Sequence, residues 1–215
     1  MVIKILIADD HRIIYESLKP LIDKEHDMEI VAVAENGRQA VKLSRELKPD
    51  VVIMDISMPD LNGIEATHQI VKQHYGVKVI ALSMNADRRY VKGMLQAGAS
   101  GYLTKSCSFE ELTNAIRIVS AGKRYLSPGI SGIVIDESLA PHSEITSLAP
   151  PTLTVRGHEV LQLLAEGMSV QGIADKLFLS IKTVHTHRTH IMEKLNIHSI
   201  AELTKYAIRE GFTTV

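Results

Sequence analysis

Val51-Val52-Ile53-Met54-Asp55 sets four apolar residues, unbroken by a polar one, against a single carboxylate. A short β-branched run of this kind reads as a strand buried on both faces, as in a parallel sheet. Asp55 then falls at the carboxyl end of the strand, the edge where open α/β sheets bind ligands. Ile56-Ser57-Met58-Pro59-Asp60-Leu61-Asn62-Gly63 follows as loop. A lone Asp in such a place ordinarily ends a strand or caps a helix. The flanking sequence gives this one company.

Upstream, residues 2–8 form a β-branched strand that stops at Asp9-Asp10, and Ile13, Ile14, Leu18, Leu21 and Ile22 continue at helical spacing. Residues 28–34 read as the next strand, and Ala40, Val41, Leu43 and Leu47 as the next helical stripe. Downstream come a helix over 63–75, a strand over 77–82 ending at Ser83, a helix over 87–97, and a strand over 99–103 ending at Thr104-Lys105. Ser108 and Glu111 form an S-x-x-E capping box that opens a fifth helix. The alternation predicts an α/β fold over residues 1–122. Right-handed crossovers make it a flavodoxin-like, doubly wound (βα)5 layer.

In that layer every strand's carboxyl end meets one edge, which gathers Asp9, Asp10, Asp55, Ser83 and Lys105. Clustered carboxylates repel one another and invite a hard cation, and Mg²⁺ prefers a few carboxylates plus waters and phosphate oxygens. Asp55 can attack phosphorus, the Lys105 ammonium can neutralise phosphoryl charge, and the Ser83 hydroxyl can donate to a phosphoryl oxygen.

Asp9-Asp10, the M-D-I-S-M-P-D-L-N-G segment around Asp55, Ala81-Leu82-Ser83 and Gly101-Tyr102-Leu103-Thr104-Lys105 resemble a response-regulator receiver domain. The resemblance implies Asp55 as phosphoacceptor. It implies Asp10 as a direct Mg²⁺ ligand, Asp9 as a ligand through water, and the Ser57 main-chain carbonyl as a third. It also implies Ser83 and Tyr102 as the pair that rearranges on phosphorylation. Ser106 departs from the pattern, since many receivers have proline after the lysine. A Lys-Pro bond there is often cis, whereas Lys-Ser strongly prefers trans, which bears on the aim of Lys105. His11 reads as a first-turn helix residue, and Met54, Met58, Met84 and Met94 as packing.

The chain has 215 residues, 45% hydrophobic and 23% charged, which allows one or two domains of a soluble globular protein. Its net charge of −1 gives no global case for nucleic acid or membrane. The single Cys107 cannot form an internal disulfide. Residues 2–8 are too short for a signal h-region or a membrane span. A cytoplasmic location is expected.

Residues 123–150 are dense in Gly and Pro and read as a linker. Ile130, Ile133, Val134, Ile135 and Leu139 are apolar enough to pack, as one short helix against a domain.

Residues 151–215 fit a second, all-α domain of four helices, opened by Thr154, Ser169, Ser180 and Ser199. The second and third, joined at Phe178-Leu179, make a helix-turn-helix whose second helix enters a major groove. With Val184, Ile191 and Leu195 inward, Lys182, His185, Thr186 and Thr189 face out at base-reading positions. Lys182, Thr183 and Arg188 suit phosphates. Cations exceed acids by only one over 151–215, which argues for a dimer on DNA.

L-T-V-R-G-H-E-V-L-Q-L-L-A-E-G, then I-A-D-K-L, S-I-K-T-V-H-T-H-R and I-M-E-K-L resemble the LuxR/NarL-type DNA-binding domain. Gly157 and Gly172 depart from it, standing where the family usually has Glu three residues after the cap. Together the two halves resemble a NarL/FixJ-type response regulator. That resemblance implies phosphorylation by a sensor histidine kinase, control of double-stranded DNA binding and transcription, and a homodimer when phosphorylated or DNA-bound. It implies no enzyme acting on a separate substrate. An aspartyl phosphatase of the haloacid-dehalogenase type wants a second acid two residues after the nucleophile. Ser57 stands there.

Overall fold

The structure, a computed structural model, describes residues 2–73, 76–84, 87–132, 153–210 and 212–213. The chain divides into two compact units, Met1–Leu139 and Ala140–Val215.

The first unit is a parallel sheet in the order β2-β1-β3-β4-β5-β6, with β1 Ile3–Ala8, β2 Met28–Ala34, β3 Val51–Met54, β4 Lys78–Ser83, β5 Gly101–Thr104 and β6 Tyr125–Leu126. Five helices alternate with the strands: α1 Arg12–Ile22, α2 Gly37–Leu47, α3 Gly63–Gln73, α4 Arg88–Gln96 and α5 Phe109–Ser120. This is the expected doubly wound layer, extended by a sixth strand. Strand β3 lies between β1 and β4, with Ile5 beside Val51 and Val51 beside Lys78. All four of its side chains are buried, each a burial worth roughly 1.5–3 kcal/mol.

Alternate residues of each strand feed opposite layers. Leu6, Ala8, Val52, Met54, Val79, Ala81 and Tyr102 pack with Ala40, Ala66, Ile70, Val91 and Met94 of α2, α3 and α4. Ile5, Ile7, Val51, Ile53, Ile80, Leu82 and Leu103 pack with Ile22 of α1 and with Leu112, Ala115, Ile116 and Val119 of α5. Polar caps fix where helices begin. The Asn36 side chain accepts from Gln39 N, Asp87 from Arg89 N and Ser108 from Glu111 N.

The loop after β3 closes through a glycine. Gly63 N donates to the Ile56 carbonyl at 2.8 Å, and an ideal Cβ on Gly63 would stand 1.9 Å from the Asp55 carbonyl oxygen. No side chain fits there.

The stretch read as a linker begins on this unit. Tyr125 and Leu126 extend the sheet, residues 128–132 are helical, and Ile130 is fully buried in the cluster that holds Tyr102. Two residues carry no usable periodicity, which is why β6 escapes a pattern reading. Ile133, Val134, Ile135 and Leu139 lie outside the described residues, as do residues 74 and 75 of the expected 63–75 helix.

The second unit is four helices: α6 Val155–Ala165, α7 Val170–Leu177, α8 Ile181–Leu195 and α9 Ile200–Arg209. Thr154, Ser169, Ser180 and Ser199 each accept from the backbone N–H three residues on, as the sequence suggests. Val160, Leu161, Leu163, Ile173, Leu177, Val184, Ile191, Leu203 and Ala207 form the core. Arg156 adds a tie that no pattern announces. Its guanidinium pairs with Glu159 and donates to the Leu177 carbonyl, fastening the start of α6 to the end of α7.

Candidate phosphoacceptor site and nucleic-acid interface

β1, β3, β4 and β5 bring their carboxyl ends to one edge. Asp9 and Asp10 follow β1, Asp55 follows β3, Ser83 ends β4 and Lys105 follows β5. Asp55 is only 5% exposed. The Lys105 ammonium stands 2.7 Å from Asp9 Oδ2 and 3.1 Å from Asp55 Oδ2, with all three side chains nearly buried. Asp55 Oδ1 accepts from Ile56 N at 2.8 Å, which fixes the carboxylate's plane.

Burial, and then repulsion from Asp9, pushes the Asp55 carboxyl above its ordinary value, while Lys105 pulls the other way. Burial works against the charged form of Lys105. Its bond to Asp9 and the charges of Asp55 and Asp9 outweigh that burial, so its pKa lies above the ordinary value. No peptide bond among the described residues is cis, so Lys105 reaches both carboxylates without a proline after it.

His11 is the N-cap of α1, one residue ahead of the expected first-turn position. Its ring Nδ1 lies 3.2 Å from Asp9 Oδ1 and 2.9 Å from Asp10 Oδ1, and its backbone N–H donates to Asp9 Oδ1 at 2.9 Å. It therefore holds the acidic pair in place, a role that spacing alone does not reveal.

Ligand atoms of Asp9, Asp10, His11 and Asp55 all lie within 4.8 Å of one another. Three carboxylates at that spacing, on the edge of a sheet, form the oxygen-rich donor set that a hard cation requires. The loop position of Ser57, two residues past Asp55 and half-buried, is consistent with a carbonyl in that set.

Ser83 and Tyr102 share a hydrogen bond. Tyr102 is fully buried, and that burial pushes its hydroxyl up to about 12. The ring thus lies inside the layer, not on its surface.

On α8, Val184 and Ile191 are buried, and Lys182, His185, Thr186 and Thr189 are exposed as expected. Thr183 and Arg188 are half-buried. The Thr183 hydroxyl lies 2.7 Å from Ser180 Oγ, so it serves the helix cap. Thr186 donates its hydroxyl to the Lys182 carbonyl at 3.0 Å, leaving its methyl and the hydroxyl's acceptor lone pairs as the groups on offer. Burial, then Arg156 and His190, lowers the His187 pKa. His187 is a packing residue on the inner flank.

Residues 5–117 match the model for the response regulator receiver domain, and residues 151–207 match that of the bacterial regulatory proteins of the luxR family. The response regulator GacA of Pseudomonas syringae is 38% identical over 209 residues, covering 97% of each chain. The oxygen regulatory protein NreC of Staphylococcus epidermidis is 38% identical over 96% of this chain and 97% of its own. Among solved structures, a LuxR-family two-component response regulator from Aurantimonas is 35% identical, with a TM-score of 0.61 over 64% of this chain and 99% of that one. RcsB of Salmonella typhimurium is 25% identical, with a TM-score of 0.59 over 97% of this chain and 99% of its own. The chain belongs to the NarL/FixJ-type response regulators of two-component systems, transcription regulators that join a receiver domain to a LuxR-type DNA-binding domain.

Proposed function

We propose that Asp55 accepts a phosphoryl group from a sensor histidine kinase, and that this modification controls binding of the 151–215 domain to promoter DNA. The observation that carries the reading is the shared Lys105 ammonium between Asp9 and Asp55 at the sheet edge. In the transfer, an Asp55 oxygen forms a bond to phosphorus as the bond from phosphorus to the kinase's histidine nitrogen breaks. Lys105 turns toward the phosphoryl oxygens, and Ser83 donates to one of them. Tyr102 follows Ser83 through their hydrogen bond.

Asp9, Asp10, Asp55 and the Ser57 carbonyl would hold Mg²⁺, whose charge offsets that of the phosphoryl oxygens. Asp55 is a site of modification, not a nucleophile turning over esters, because no acid stands two residues after it.

On the DNA side, Lys182, His185, Thr186 and Thr189 read base edges, and Lys182, Thr183 and Arg188 meet phosphates. The small positive excess over 151–215 favours a homodimer, and one RcsB structure is described as two dimers bound to two parallel DNAs. No described helix is long and apolar enough to cross a membrane.

The test is acetyl-phosphate labelling of the full chain with Mg²⁺. Wild type is expected to be labelled and Asp55→Asn not at all; label that survives in Asp55→Asn overturns the assignment. Genome-wide DNA-binding maps of the same two proteins then read the effect on promoters.

A further inference from the structure

Strand β5 would be the sheet's edge without β6, and Tyr102 lies on it. An edge strand presents unpaired N–H and C=O groups and leaves its side chains a way out past the last strand. Here the chain turns back after α5 and closes that edge. Tyr125 N donates to the Ser100 carbonyl at 3.1 Å, and Ser127 N donates to the Tyr102 carbonyl at 3.1 Å. Leu126 stands beside Tyr102 in the parallel register.

The segment is then locked from both ends. Before it, the Tyr125 hydroxyl donates to Glu111 Oε1 at 3.2 Å, which ties β6 to α5. After it, Ile130 N and Ser131 N donate to the Ser127 carbonyl at 2.9 and 3.0 Å. That turn carries Ile130 into the layer of Tyr102, Val91 and Met94, where Ile130 is fully buried and Leu126 partly so. Main chain and side chain of the same short segment therefore bear on one residue, and that residue shares a hydrogen bond with Ser83.

We infer that Leu126, Ser127 and Ile130 are positioning residues that hold Tyr102 inward against Ser83, so that the receiver is preset for the phosphoryl group. The inference rests on Asp55 being the phosphoacceptor. Without the segment, Tyr102 has a free edge to turn through, and the ordering of its ring falls on the phosphorylation step. The dissociation constant is then divided by the fraction of molecules already in the competent arrangement, so affinity falls as that fraction falls. Coupling is reciprocal, so a phosphoryl mimic at Asp55 also tightens residues 125–131. Those residues lead straight into the chain that joins the two units, which gives the switch a covalent route outward.

The experiment uses the full chain, with beryllofluoride and Mg²⁺ as the probe and the bound fluorine signals in ¹⁹F NMR as the readout. Ile130→Ala empties the buried position, and Ser127→Pro removes the N–H that Tyr102 accepts from, while also fixing φ at 127 and restricting Leu126. Ile22→Val, in the opposite layer, is a core change remote from Tyr102. Half-saturation is expected at roughly 5- to 20-fold higher beryllofluoride in both connector variants and unchanged in Ile22→Val. Hydrogen exchange of residues 125–131 is expected to slow in wild type on adding the probe. Connector variants that bind as wild type does, or an equal shift in Ile22→Val, overturn the inference. A wild type that binds no beryllofluoride refutes the Asp55 reading itself, and this inference with it.

Discussion

Lys105 stands closer to Asp9 than to Asp55, at 2.7 Å against 3.1 Å, so one ammonium restrains two buried carboxylates. Removing one partner of a buried pair leaves uncompensated charge, at a cost of about 3–5 kcal/mol. Lys105→Met should therefore destabilise the first unit by about 3 kcal/mol at neutral pH. Mg²⁺ should restore part of the loss, because Asp9, Asp10 and Asp55 would hold it. Urea denaturation with and without Mg²⁺ measures both effects. Unchanged stability would show that the carboxylates do not depend on Lys105.

Arg117 on α5 reaches Asp27 at 2.8 Å and Glu25 at 2.6 Å, across ninety residues of sequence. The bond from Arg117 holds the Asp27 carboxyl below its ordinary value of 3.8. A depressed folded pKa adds stability above the unfolded value, and that stability disappears as pH falls through the folded one. Wild type should therefore lose this increment below about pH 4, whereas Asp27→Asn lacks it at every pH. The groups are partly exposed, so the gap at pH 7 should stay under about 1 kcal/mol. Thermal melts between pH 3 and 7 settle it. Parallel curves for the two proteins would rule the effect out.

Gly157 and Gly172 sit in first helical turns, where glycine costs roughly 0.5–1 kcal/mol. A Cβ on Gly172 would meet Met168 Cγ at 3.1 Å, a flexible side chain that can yield. A Cβ on Gly157 would meet Thr154 Oγ1 at 3.2 Å. The longer side chain would then enter an open cleft of about 400 Å³ lined by His187, His190 and Lys194. Gly157→Glu and Gly172→Glu should each raise the melting temperature of the second unit by about 2–8 °C. No rise in either would remove the capping argument.

Thr186 offers a methyl group and Lys182 a cation, and the two should fail differently. Thr186→Ala should cost about 1 kcal/mol at one base pair and relax preference there, as loss of a thymine-methyl contact would. Lys182→Ala, which removes a phosphate contact along with any base contact, should weaken binding across sequences and flatten the salt dependence by about one unit of slope. Binding assays on a site library at several salt concentrations separate them. Identical profiles for the two variants would contradict the assignment.

The residues of the sheet edge are legible in the sequence because each belongs to a strong local pattern. Val51 to Met54 form an unbroken apolar run, so the position of Asp55 follows from it. The caps at Ser108, Thr154, Ser169, Ser180 and Ser199 are likewise local, and the structure contains each of them. Glu111 shows the limit. It completes an S-x-x-E pattern, yet its carboxylate accepts from Tyr125, because the short strand β6 lies within reach. Likewise, the bond from Arg156 to the Leu177 carbonyl spans 21 residues and leaves no periodic trace. Local chemistry is written in neighbouring letters, and partners brought together by the fold are not.

Phe178 is the αL end of α7, with φ of 54° and 95% of its surface exposed. The chain contains no tryptophan. Phe178→Trp would therefore place a single indole at the corner between α7 and α8, outside the packed interior, where its emission would respond to an arriving DNA strand. A regulator whose intrinsic emission comes from tyrosine alone thus has a natural place for a selectively excited optical reporter beside α8.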